Sequence, residues 1–368
     1  MNTGRTINAV WTEINRQETA RRDFIVPSNK MALRTSLPDL FGDAKDITPV
    51  QFEIVNGRER LDLNPTQLFH RQIGTHTGIP AVYYDRMKAE LPELLTRNVN
   101  EWLRKNETRQ MIRSLDGKAR AFLSDRYRPV DNLEVCQAIL PVLAQIREGV
   151  FDSCEVTDDA LYLKVVNPRL QGEVRPGDLV QAGVVVRNSE VGKGSVSVAP
   201  LLFRLVCSNG MIVNSFGSRQ YHVGGRNTDN WELYTDETRA ADNKAFLMKT
   251  RDTVKSAVDE AVFGKILDGL REAAGTKIEG RPTEVVEMAG RKFGLNQGEQ
   301  DEVLKNLLQG GDMTLYGLSN AVTRTAAVVP DYDRATDLEG MGWDMATMSA
   351  TTWKEINASI GKNSRRSK

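Results

Sequence analysis

The sequence predicts an α+β protein: a central, largely antiparallel, hairpin-rich sheet packed with helices, followed by a helical C-terminal part. Four features of the chain point to it. Within residues 178–213, Val184, Val185 and Val186 are β-branched and suit a pleated, half-buried surface. Ser195 and Ser197 alternate there with Val196 and Val198, the period of a strand with one wet face. Two dipeptides, Asp116-Gly117 and Asn209-Gly210, interrupt apolar runs. Such pairs favour a type I′ hairpin turn, which needs positive φ at both central residues. Beyond residue 227 apolar side chains recur at three- and four-residue steps punctuated by glycine, the pattern of successive helices.

In chain order, residues 1–45 are expected to form an N-terminal arm. Ile7, Val10, Trp11 and Ile14 have helical spacing, and Pro27 keeps Val26 extended. Residues 46–226 are expected to be an α+β core carrying a basic sheet. A strand comes first. Asn64 before Pro65 makes an N-cap and first-turn pair for a helix over 67–76, which stops near Gly78. Two more helices follow in AVYYDRM and PELLTRNVNEWLRK. Leu94, Leu95, Val99, Trp102 and Leu103 read as one apolar stripe facing the core. QMIRSL and KARAFLS flank Asp116-Gly117 as a hairpin, and Asp131 or Asn132 caps the next helix. LYLKVV pairs with the strands of 178–213 after a PGD reversal. Gly224-Gly225 and NTDN mark a boundary. Residues 227–354 are expected to be the helical C-terminal part: one long helix over 236–274, then helices over 283–292, 297–308 and 313–327, the last capped by Asp312. Residues 355–368 end in KNSRRSK, a basic tail expected to be disordered.

The chain has 368 residues, enough for one large domain or two ordinary ones. Its 49 basic and 49 acidic side chains cancel, yet they are unevenly spread. Residues 101–130 hold eight bases against four acids, and residues 161–226 eight against three; residues 227–310 are net acidic. A basic middle matters for anionic partners. The three cysteines, Cys136, Cys154 and Cys207, are odd in number and unpaired in spacing, which favours a reducing, cytoplasmic setting. No apolar run approaches the roughly 20 residues that span a bilayer, so no membrane association is expected.

GKGS at residues 192–195 invites comparison with a phosphate-binding loop, but it lacks the earlier glycine and precedes a strand rather than a helix. It reads instead as a flexible hairpin whose Lys193 can touch a phosphate as a point charge. His70 and His76 are six apart and do not share a helix face, and no cysteine pair has zinc-ligand spacing. Cys207 has no local base and reads as a small buried hydrophobe. Asp158-Asp159 is explained by a turn. No catalytic residue, metal or cofactor is assigned, and the protein is not expected to be an enzyme.

The basic segments point elsewhere. Arg113, Lys118, Arg120, Arg126, Tyr127, Arg128, Arg187, Lys193, Arg204, Arg219 and Tyr221 interleave cations with tyrosines across separate β segments. Cations that follow a backbone and rings that stack on bases suit single-stranded nucleic acid, at about 1–3 kcal/mol per stacked base. The competing reading is a solvated charged face with internal ion pairs, Glu190 beside Lys193 being one local partner.

NSEVGKGS at 188–195 and RLVCSNGM at 204–211 carry a resemblance. With GIPAVYYDRM, RAFLSDRYRPVDN, RQYHVGG, NAVTRTA and the later LEG, the chain resembles a phage- and plasmid-borne family catalogued as domain of unknown function nine-hundred-thirty-two. That family is in turn distantly similar to ring-forming single-strand annealing recombinases, which cross a hairpin-rich sheet with a long helix. The resemblance implies a matching role for the hairpins of 109–215 and a helix at 132–147 or 237–274, and carries over no catalytic residue. The expected function is a phage- or plasmid-encoded protein that binds single-stranded DNA and anneals it as a ring or filament of identical copies. The alternative is a protein-interaction or structural phage protein, for example an inhibitor of a host defence enzyme, without DNA affinity.

Overall fold

β5 (Arg109–Leu115) and β6 (Lys118–Ser124) are joined through Asp116 and Gly117 at φ 50° and 75°, the two left-handed residues a type I′ turn demands. The computed structural model describes residues 4–35, 50–56, 59–105, 107–127, 129–194, 196–214, 218–220 and 236–357. Arg128, Tyr221, the boundary over 224–230, the tail from 358 onward and the side chain of Arg219 lie outside the described residues.

The strands divide into two sheets. The first adds β1 (Arg22–Pro27), β2 (Met31–Thr35), β3 (Val50–Asn56) and β4 (Glu59–Pro65) in the order β1-β5-β6-β4-β3-β2. Its neighbours are antiparallel except β4 and β6, which pair in parallel at Asn64–Lys118 and Pro65–Ala119. α2 (Gln67–Thr77), α3 (Ala81–Glu90) and α4 (Pro92–Lys105) cover one face, around Phe52, Phe69, Leu95 and Leu103. Thr66, not Asn64, caps α2, its hydroxyl accepting from the Phe69 amide at 3.2 Å. Asn64 and Pro65 are instead the end of β4.

The second sheet comprises β7 (Val150–Val156), β8 (Leu161–Arg175), β9 (Asp178–Asn188), β10 (Val196–Arg204) and β11 (Asn209–Ile212) in the order β11-β10-β9-β8-β7, with β12 (Ser218–Gln220) also on β10. All its pairs are antiparallel. The reversal into β11 falls at residues 205–208 rather than at Asn209-Gly210. Arg204 pairs with Asn209 and Phe203 with Gly210, so that dipeptide is strand, and Ser208 takes the positive φ of 49°. Asn209 is committed to the strand because its side chain donates to the Thr323 hydroxyl.

One face of this sheet buries Leu163, Val165, Val184, Val186 and Val198 against α1 (Ile7–Ala20), α5 (Asn132–Leu143) and α6 (Asp236–Ala257). The expected long helix is two, α6 and α7 (Glu260–Gly275). The Asp259 carboxylate accepts from the Ala261 and Val262 amides and starts a new helix there. α8 (Pro282–Phe293), α9 (Gln297–Gly310) and α10 (Leu315–Thr325) follow as expected, although Thr314 rather than Asp312 caps α10. α11 (Tyr332–Ala346) and α12 (Ala350–Asn357) complete the helical part. The sequence pattern conceals α11 because a glutamate, Glu339, occupies a fully buried position on it. Its partner explains this: Lys164 on β8, equally buried, donates to Glu339 Oε2 at 2.7 Å and to Thr336 Oγ1 at 3.1 Å. That pair ties α11 to the sheet face opposite α6. Among the described residues no helix is long and apolar enough to cross a membrane.

Candidate nucleic-acid interface

Among the described residues, the cations singled out from sequence do not all share one exposed surface. Arg113 is buried, its guanidinium donating to Asp23 Oδ1 at 3.1 Å, Asp131 Oδ1 at 2.7 Å and the Glu190 carbonyl at 2.7 Å. Arg120 is buried on Glu190 Oε1 at 2.9 Å and the Asp158 carbonyl at 2.8 Å. Lys118 meets Asp158 at 3.0 Å and Lys193 meets Asp159 at 2.7 Å. Arg187 stacks on Tyr162, 5.3 Å from the ring centroid, with Asp337 at 3.9 Å. Arg204 lies at the other end of β10 and makes two bonds to Asp178, at 2.6 and 2.8 Å. Tyr127 is half-buried beside Val191. These charges are offset by carboxylates, so the expected convergence of guanidinium groups on one cradle is corrected to a set of internal ties. Sequence proximity showed the sign of each charge but not the partner waiting for it.

NSEVGKGS is the centre of those ties, and the flexible hairpin expected there is a packed junction between the sheets. The Asn188 amide donates to the Val130 carbonyl at 2.9 Å and to Asn132 Oδ1 at 2.8 Å. The Ser189 hydroxyl donates to the Asp159 carbonyl at 2.7 Å. Glu190 accepts from Arg120 and from the Asn132 amide at 3.1 Å. Burial opposes ionisation of Glu190, but Arg120 and Arg113 outweigh it and hold its carboxyl below the usual carboxylate range. Val191 is wholly buried, and its carbonyl accepts from Gln72 on α2 at 2.8 Å. Gly192 sits at φ +80°, and a Cβ there would lie 2.5 Å from Leu123 Cδ2 on β6. Lys193 remains a point charge, already matched by Asp159.

Unmatched cations gather instead at one end of the first sheet. Arg109 opens β5 opposite Pro27, the last residue of β1. Ser124, which closes β6, pairs with Gln110 and leads into exposed Arg126. Lys30 ends the short turn after β1, where the Ser28 hydroxyl donates to the Leu103 carbonyl of α4 and so holds that helix end beside the strands. Lys105 ends α4, its ammonium 5.0 Å from the centroid of Trp102. Lys30, Lys105, Arg109 and Arg126 are exposed and form no ion pair among the described residues. Glu107 and Asp125 also lie at this end; Glu101 is already bound to Arg104 at 2.9 Å. Trp102 is 42% exposed, whereas Leu95, Val99 and Leu103 are wholly buried. The stripe expected from sequence therefore splits. Leu95, Val99 and Leu103 repeat every four residues on the core face, and Trp102 lies about 100° around the helix from Leu103. Of the described cations singled out from sequence, Arg126 lies at this end.

No group of three or more His, Cys, Asp or Glu side chains that could hold a metal gathers among the described residues. Residues 120–367 match the family described as Domain of unknown function (DUF932). The chain belongs to that family. No curated protein and no solved structure matches it. The match to DUF932 begins inside β6, so it takes in Arg126 and the junction over 188–194 and leaves Lys30, Trp102, Lys105 and Arg109 outside.

Proposed function

We propose that this protein binds single-stranded DNA at the cationic end of its first sheet and promotes annealing of complementary strands without covalent chemistry. The observation that carries the reading is Trp102, an exposed ring under the Lys105 ammonium, at the sheet end that also holds Arg109, Arg126 and Lys30, which form no ion pair among the described residues. An open indole can stack on a base while the cations follow the backbone. The second sheet supports the comparison with annealing recombinases in outline, since α6 packs across β9 and β10 of its hairpins. On this reading the protein is a phage- or plasmid-borne recombination factor of the host cytoplasm, where its three free thiols persist. It acts as repeated copies in a ring or filament, so that weak contacts add along one strand.

Titrating an oligothymidylate into the protein at low salt tests this. Saturable quenching of tryptophan emission, lost in Trp102→Ala, is the expected result. Binding that is absent in low salt, or unchanged by Trp102→Ala, refutes the assignment.

A further inference from the structure

We propose that the cleft beside the β10–β11 turn docks a partner protein through an acidic peptide segment with an apolar residue next to its carboxylate. This site lies at the far end of β10 from the junction and is independent of the DNA reading.

The turn at residues 205–208 is closed by the Leu205 amide donating to the Leu179 carbonyl at 3.1 Å. It holds Leu205 and Val206 out into solvent, at 41% and 62% exposure. The residues on either side of that apolar tip, Arg204 and Cys207, turn back to line a cleft whose other walls are α9 and α10. Leu307 and Ala321 supply apolar lining, and Arg324 stands over it.

Charge accounting selects the ligand. The Arg204 guanidinium is bound to both Asp178 oxygens, and its Nη1 donates to Cys207 Sγ at 3.3 Å. It is further fixed over the Tyr316 ring, 5.6 Å from the centroid. Arg175, on the same ring at 5.8 Å, is matched by Asp312 at 3.0 Å. Arg324 is exposed and has no ion pair among the described residues. The cleft therefore holds one uncompensated positive charge. One carboxylate matches that; a phosphate monoester, at about −1.5 to −2, exceeds it. Leu205 and Val206, between the cleft-lining Arg204 and Cys207, offer an apolar lip to the residue next to that carboxylate. Such a contact needs both an acid and an apolar residue, which is a rule of specificity.

The test is fluorescence anisotropy with a labelled peptide containing Ser-Asp-Leu-Phe, the same peptide with its Asp replaced by Asn, and the full-length protein. Saturable binding of the acidic peptide is expected, weakened about tenfold or more by the Asn peptide, by Arg324→Glu and by Val206→Asp. Both substitutions are at exposed positions, and Arg324→Gln serves as the second variant should Arg324→Glu fail to fold. Trp102→Ala should leave peptide affinity unchanged, which separates this site from the DNA interface. No saturation up to about 1 mM peptide, equal binding of the Asn peptide, or displacement of the peptide by an oligodeoxynucleotide each overturns the proposal.

Discussion

Glu190 and Arg120 stand 70 residues apart in the chain and meet at 2.9 Å, their side chains 6% and 3% exposed. The contact joins the loop after β9 to the middle of β6, and so one sheet to the other. Removing one member of such a pair leaves the other charged and dry. Arg120→Ala should destabilise the fold by about 3–5 kcal/mol in urea titration, and replacing both residues by Met should recover part of that loss. An Arg120→Ala protein as stable as the parent would show that the junction carries no strain of this kind.

Acid should loosen the same junction. The Glu190 carboxyl titrates below its ordinary value in the folded chain. The unfolded chain therefore takes up its proton first, and the stabilisation is complete above the unfolded value of about 4.3. It is lost as the pH falls through the lower, folded value. Glu190→Gln should flatten the acid limb of a plot of stability against pH.

His70 should show the same sign in a higher window. It is buried, with Nδ1 2.8 Å from the Tyr84 hydroxyl. Burial first, and Lys88 second, lower its pKa from 6.5 to about 4. Stability tied to neutral His70 is complete above 6.5 and drains away as the pH drops toward 4, by about 3 kcal/mol in all. Following the ring protons by NMR checks this; a midpoint near 6.5 for His70 would contradict it.

Gly192 is the one residue of the junction that side-chain chemistry does not explain. Its φ of +80° and its closeness to Leu123 leave no ordinary place for a Cβ. Gly192→Ala should lower stability by about 1–3 kcal/mol, seen as a drop in Tm, without altering secondary structure by circular dichroism.

At the proposed DNA interface, salt dependence should count the cations. Four phosphate contacts on a single strand give a slope of log affinity against log salt of about −3, and Arg126→Ala should shrink its magnitude by about 0.7. Trp102→Ala should cost about 1–3 kcal/mol and leave the slope alone. Substituting Arg113 is the contrasting case: its guanidinium is enclosed by Asp23, Asp131 and the Glu190 carbonyl, so the loss should appear in stability.

Fold class and much of the local punctuation were legible in the residues themselves. Asp116 and Gly117 turn the β5–β6 hairpin because both can hold positive φ, and Gly78, Gly294 and Gly311 end helices for the same reason. These are short-range effects, written within a few residues of where they act. Other choices were not local. Asn209-Gly210 has every mark of a turn, yet Thr323, 114 residues on, holds Asn209 in a strand. The buried Lys164 finds Glu339 at a separation of 175 residues. The fold alone settles which cations meet carboxylates and which, like Arg109, Arg126 and Arg324, stay exposed with no ion pair among the described residues. A charge is a property of one side chain; its compensation depends on which distant segment the fold brings within about 4 Å of it.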